Sequence, residues 1–217
     1  MPKIFLIRVC ETVANMEGKI SNFTPLTPNG IIQSDKVANR LRNVGLSAIY
    51  SSSLESASKT ALIIAQQYKI SIVEHSEFNE TYLGDWDGMT KKDIVEKYPH
   101  EWKEWLDSPN NSWRFPGARE TLVEARTRAM KRFNQIIHSH SKDDIICIVT
   151  HGNIIRFILC SLLDIDLSKM LAFHQFNGAI TALEVSGNES RISFVNDICH
   201  LLSLGFSDSI TGKPWAY

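Results

Sequence analysis

The apolar positions of this chain fall into short continuous runs separated by longer segments of helical period. The run from Lys3 to Ile7 has the length and continuity of a strand buried on both faces. Thr27 followed by Pro28 reads as a helix start, with a hydroxyl to cap the first turn and a preset φ at the first helical position. The helix predicted there runs to about Asn43, and Gly45 stops it. Ser47 to Ser51 reads as a second strand, Leu54 to Tyr68 as a second helix, and Ile70 to Glu74 as a third strand. Thr90 to Leu106 divides into two helical pieces at Pro99. Between Glu120 and His140, the residues Leu122, Ala125, Ala129, Phe133, Ile136 and Ile137 share one side of a helix. Asp144 to Val149 is the strongest strand signal, and a helix follows from Asn153 to Leu163. Ile180 to Val185 and Ser190 to Val195 read as a hairpin around Gly187 and Asn188.

This alternation predicts an α/β fold of three layers, a mainly parallel sheet with helices on both faces. No linker or internal repeat divides the chain, so a single domain is expected over residues 1–202. Residues 203–217 have weak periodicity and read as a tail or docking arm. In such sheets ligands bind beyond the carboxyl ends of the strands. The segments Arg8 to Thr12 and His151 to Asn153 both follow strands, which is the geometric reason to read them as one site.

Composition narrows the partners. With 217 residues the chain is long enough for one sizeable core. A formal net charge of -1 gives no electrostatic reason to expect nucleic acid or an anionic membrane surface. No apolar run approaches membrane-spanning length, and Lys3 is followed by only four apolar residues before Arg8, so a signal peptide is not expected. Cys10, Cys147, Cys160 and Cys199 lack metal-ligand spacing and read as reduced thiols, which suits a cytoplasmic protein. There is no glycine-rich nucleotide loop, so neither a metal nor a cofactor is expected. The expected partner is a small molecule, with homodimerisation left open.

Five separate motifs carry a family resemblance. Arg8-Val9-Cys10-Glu11-Thr12 resembles the Arg-His-Gly-Glu-Thr opening of the histidine phosphatase (phosphoglycerate mutase-like) superfamily. Leu26-Thr27-Pro28-Asn29-Gly30 is similar to its entry into the first long helix. Phe78-Asn79-Glu80, with Leu83-Gly84-Asp85-Trp86-Asp87-Gly88 after it, is similar to its acid-bearing loop. Pro116-Gly117-Ala118-Arg119-Glu120 resembles its Pro-Gly-Gly-Glu-Ser segment, and Val149-Thr150-His151-Gly152-Asn153-Ile154-Ile155-Arg156 its second histidine motif. The resemblance implies that Glu80 is the proton donor and that His151 stands beside the transferred group. It also implies an anion site using Arg8, with Asn15 as a neutral donor. Gly152 and Asn153 open a helix whose free amides and dipole favour an anion.

Two departures oppose the usual reaction. The family's nucleophilic histidine is replaced by Val9, and its second phosphate-binding arginine by Ser56, with Glu55 and Lys59 on either side. Losing one charge-assisted contact costs about 2 to 3 kcal/mol of anion affinity. A carboxylate, a phosphodiester or a neutral group suits this charge balance better than a phosphoryl dianion. The expected function is therefore altered acid/base chemistry, by Glu80 and His151, on a small anionic metabolite anchored by Arg8. The alternatives are an inactive binding or regulatory protein, and a residual phosphatase or mutase whose substitute nucleophile is Cys10 or His151. His174 is a further candidate for the vacant histidine position, although period-two alternation turns Cys10 away from the direction of Val9.

Overall fold

The structure is a computed structural model that describes residues 1–107, 112–187 and 189–204. Its elements run β1 (Lys3–Arg8), α1 (Val13–Met16), β2 (Lys19–Ile20), α2 (Pro28–Leu41), β3 (Ala48–Ser52), α3 (Glu55–Gln66) and β4 (Ile72–His75). After these come β5 (Met89–Thr90), α4 (Lys91–Lys97), α5 (Pro99–Asp107), α6 (Leu122–Ser139), β6 (Ile145–Thr150), α7 (Gly152–Leu162), β7 (Ile180–Ser186) and β8 (Glu189–Asp197). The larger sheet has the order β4-β3-β6-β1-β7-β8. Its first four strands are mutually parallel, β7 runs antiparallel to β1, and β8, antiparallel to β7, runs in the direction of the first four. This is the three-layer α/β architecture that the alternation predicts.

The two faces of the sheet are read off β1 and β6 by alternation. Ile4, Leu6, Ile146 and Ile148 join the core under α6 and α7, with Leu122, Ala125, Phe133, Ile155 and Ile158. Ile7, Cys147 and Val149 point the other way, toward Val37 and Leu41 of α2 and Ala61 and Ile64 of α3. Burying each of these aliphatic side chains stabilises the fold by about 1.5 to 3 kcal/mol. A strand buried on both faces explains why β1 and β6 appear in the sequence as unbroken apolar runs.

The register of β1 against β6 positions the site. Arg8 pairs with Thr150, so the two strands end at the same height and the residues after each emerge side by side. The loop after β1 is then fastened to the start of α2. Thr27 caps α2 through its hydroxyl (Gly30 N at 2.9 Å) and its Oγ1 donates to Glu11 Oε1 at 2.6 Å. A Cβ on Gly30 would lie 2.0 Å from the Glu11 carbonyl oxygen, so the loop approaches the helix where only glycine fits. The Leu-Thr-x-x-Gly pattern is thus a clamp on the loop after β1.

Six short features escape the hydrophobic pattern: α1, the two-residue pair β2 and β5, and the 3-10 turns Ser76–Phe78, Gly84–Trp86 and Leu167–Ala172. Each is too short to show a period. The 3-10 turn Cys199–Leu204 crosses the expected domain boundary at residue 202. Residues 205–217, and with them the expected tail or docking arm, lie outside the described residues, as does Asn188 of the hairpin turn. No helix among the described residues is long and apolar enough to cross a membrane.

Candidate active site

Arg8, Glu80 and Arg156 converge on Gly152, the first residue of α7. A Cβ there would meet Arg156 Nη1 at 3.3 Å, Arg8 Nε at 3.8 Å and Glu80 Oε2 at 3.9 Å. Glycine keeps this meeting point open, and any side chain would fill it. Arg8 is steered by its Nη1, which donates to the carbonyl of Gln175. Arg156 lies one helical turn beyond Gly152, and its guanidinium donates to Phe173 O at 2.9 Å and Asn153 Oδ1 at 3.1 Å.

Glu80 is held at both oxygens. Oε1 accepts the backbone N–H of Thr81 at 2.8 Å, and Oε2 accepts the backbone N–H of Asn153 at 3.1 Å. The loop that carries it is clamped by Arg128 of α6. That guanidinium donates to the carbonyls of Glu77 (2.8 Å), Asn79 (2.7 Å) and Glu80 (3.2 Å), and forms a bidentate pair with Glu120 at 2.7 and 2.9 Å. The Asn153 amide, expected to meet a substrate anion, is thus given to Glu80, and the Asn153 side chain spans Thr81 and Arg156.

His151 is buried at the N-cap of α7, with its Nε2 2.8 Å from Ser52 Oγ. Burial, reinforced by the positive charges of Arg8 and Arg128, lowers its pKa from 6.5 to about 3. The imidazole is therefore neutral at physiological pH. Ser52 in turn donates to Asn79 Oδ1 at 2.8 Å, which links His151 to the loop of Glu80.

Val9 is 6% exposed and belongs to the apolar cluster under α2 and α3. Its side chain has no group able to accept a phosphoryl group. The Cys10 expectation is corrected: the thiol is fully buried and packs toward Gly178 and Val37. Its pKa is pushed up to about 12, chiefly by burial. A thiol at that value is ionised to only about one part in 10⁵ at pH 7, far too little for a substitute nucleophile. Asn15 caps α1, where its Oδ1 accepts from Thr12 N and from Asn177 Nδ2, both at 3.0 Å. Ser56 is buried in the first turn of α3, whereas Glu55 and Lys59 are exposed. Lys59 therefore lies on the solvent side of α3 and does not replace the missing arginine. The ring of His174 packs at a tilt of 46° against Phe176 with centroids 4.2 Å apart, while its neighbours Phe173 and Gln175 supply carbonyls to Arg156 and Arg8.

Several contributing residues were within reach of the sequence motifs without being assigned a role. Asn79 and Arg156 lie inside matched segments, and Ser52 stands four residues before the departure at Ser56. Arg128 and Asn177 lie outside them. Asn177 ties the loop after β1 by donating to Val9 O at 3.0 Å, and Arg128 acts mainly through backbone carbonyls. The aromatic residues Trp86, Trp105, Trp113 and Phe115 form one cluster of edge-on and tilted ring contacts, with Trp86, Trp113 and Phe115 in the core, so the segment that follows Glu80 is anchored there through Trp86. Beside Glu80 opens a cleft of about 250 Å³ lined by Asn22, Phe23, Leu54, Tyr82, Glu120 and Arg128 among others. Among the described residues, no group of three or more His, Cys, Asp or Glu side chains is placed to hold a metal ion.

Arg8, Glu80 and His151 are thus gathered at the carboxyl ends of β1 and β6 in an α/β sheet. The chain belongs to the histidine phosphatase superfamily (branch 1), whose family profile matches residues 4–198. It is 29% identical over 203 residues to phosphoserine phosphatase 1 of Hydrogenobacter thermophilus, covering 93% of this chain and 95% of that protein. It is 24% identical over 198 residues to the adenosylcobalamin/alpha-ribazole phosphatase of Escherichia coli, covering 89% and 95%. Among solved structures it superposes on Bacillus stearothermophilus YhfR with a TM-score of 0.85 at 26% identity, covering 92% of this chain and 99% of that one.

Proposed function

We propose that this protein is an enzyme of altered chemistry on the histidine phosphatase fold. In this reading Arg8 and Arg156 anchor a small anionic metabolite over Gly152, Glu80 gives a proton to it, and His151 takes one up. The observation that carries the reading is selective replacement. The position of the nucleophile holds Val9, yet Arg8 and Glu80 still meet at one open glycine, and His151, one residue before it, is tied through Ser52 to Asn79 beside Glu80. Hydrolysis through a phosphohistidine at position 9 has no acceptor atom, so the reaction is a hydrolysis by another route, an elimination or an isomerisation.

The substrate class follows from charge and shape. One guanidinium fewer than in the family, at Ser56, favours a carboxylate or a phosphodiester over a phosphoryl dianion. The cleft beside Glu80 is flanked by Phe23, which is 66% exposed, and Tyr82, which is 41% exposed. In the same cleft Arg128 is already paired with Glu120. That surface suits the uncharged, partly apolar body of a metabolite. A cytoplasmic setting agrees with the four free cysteines.

Glu80→Gln and His151→Ala test the reading. An enzyme loses turnover in both while ligand affinity changes little in Glu80→Gln. If the wild type retains a small anion from a metabolite extract and converts none, the protein is an inactive binding or regulatory member of the family.

A further inference from the structure

We propose that Ser52 and Asn79 are positioning residues that fix His151 as the tautomer with its proton on Nε2 and its lone pair on Nδ1. The inference rests on the acid/base reading above and specifies the direction in which His151 works.

Hydrogen-bond accounting leads to this assignment. The backbone N–H of Ser53 lies 2.9 Å from Asn79 Oδ1. A backbone N–H can only donate, so the atom facing it is the amide oxygen and the orientation of the Asn79 side chain is settled. The Ser52 hydroxyl, 2.8 Å from the same oxygen, donates to it; the Ser53 hydroxyl also lies 3.0 Å from that oxygen but is exposed and can turn to solvent, whereas Ser52 is buried. A serine hydroxyl has one proton and two lone pairs. Its proton is committed to Asn79, and one lone pair accepts the backbone N–H of Leu54 at 3.2 Å. The remaining lone pair faces His151 Nε2 at 2.8 Å, so that nitrogen carries the hydrogen.

Asn79 is itself anchored, because its main-chain carbonyl accepts from Arg128 at 2.7 Å. The order Arg128, Asn79, Ser52, His151 thus runs from a clamped loop to the imidazole. Burial of the ring beside Arg8 and Arg128 keeps it neutral, which leaves Nδ1 unprotonated in the resting protein. When His151 acts, the negative charge of the bound anion offsets Arg8 and Arg128 and raises the basicity of the ring, and Nδ1 takes a proton from the substrate or from a water. The resulting imidazolium keeps its Nε2–H on Ser52. Glu80 is then the partner that returns a proton to the product.

Long-range ¹⁵N–¹H correlation spectra of the uniformly labelled full-length protein read the tautomer directly, with His151→Gln identifying the signals. The wild type is expected to show a protonated Nε2 and an unprotonated Nδ1 near neutral pH. Asn79→Asp keeps an acceptor for the Ser52 hydroxyl and should retain that pattern. Ser52→Ala and Asn79→Leu should give averaged tautomers and lower kcat on the order of 10 to 100-fold, with KM little changed. A wild-type spectrum with Nδ1 protonated, or a Ser52→Ala spectrum identical to the wild type, overturns the proposal. If either variant fails to fold, the wild-type spectrum together with Asn79→Asp still decides. A fixed Nε2–H tautomer in a protein that turns nothing over would contradict the enzymatic reading alone.

Discussion

Glu80 is suspended from the first turn of α7 by the backbone N–H of Asn153, which reaches its Oε2 at 3.1 Å. The acid and the second histidine therefore share one short piece of backbone, His151 to Asn153, although 71 positions separate them in the chain. Glu80→Gln keeps the shape of the side chain but offers one acceptor oxygen where two backbone N–H groups donate, so one of the two contacts is lost and the other holds the side chain near its place. Glu80→Gln is expected to lower kcat by about 10² to 10⁴-fold, the range for loss of a general acid, with binding within a few-fold of wild type. Stopped-flow or steady-state kinetics on the identified substrate check this.

Arg128 is the structural support of the Glu80 loop. Arg128→Met removes the bidentate pair with Glu120 and leaves three backbone carbonyls without their donor. The expected loss is about 2 to 4 kcal/mol, because the pair is only partly shielded from water. Urea unfolding measures it. A wild-type midpoint in Arg128→Met would mean that the loop is held by its Trp86 anchor alone.

The low pKa of His151 predicts a pH dependence of stability. The unfolded chain binds a proton at about 6.5, whereas the folded protein refuses it until about 3. The contribution to stability is therefore complete above pH 6.5 and declines as the pH falls from 6.5 toward 3. A difference of that size corresponds to roughly 4 to 5 kcal/mol across the window. Between pH 7 and pH 4 the wild type should lose more unfolding free energy than His151→Gln. Parallel curves for the two proteins would place His151 in water.

Cys10 should behave as a packing residue. Under native conditions an alkylating reagent is expected to modify Cys199, which is exposed, and to reach Cys10, Cys147 and Cys160 only after unfolding. Cys10→Ala should cost about 1 kcal/mol through the small cavity it leaves, with turnover unchanged. Loss of activity in that variant, in a folded protein, would restore the thiol as a participant.

The fold was legible because its signals are repeated. The two-faced apolar runs of β1 and β6, the Thr27-Pro28 start of α2 and the long face of α6 each state an element and its orientation. The site was legible where side chains do the work, as with Arg8, Glu80 and His151. It was not legible where the contact is to main chain. Nothing in the type of Gln175 or Phe173 announces that its carbonyl will hold an arginine. Nor does Arg128 reveal that it reaches carbonyls 48 to 51 positions away. Cys10 shows the opposite error, in which a reactive residue type beside a vacant position suggested chemistry that burial prevents.

The central claim is that the protein turns over a metabolite without a histidine nucleophile. Mass spectrometry of a metabolite extract incubated with wild-type protein, against the Glu80→Gln/His151→Ala double variant, tests it most directly. The expected result is a small anion consumed by the wild type and spared by the double variant, with the change in mass naming the reaction. An extract left unchanged by the wild type, with a metabolite retained on the protein, would contradict the claim and make this a binding member of the superfamily.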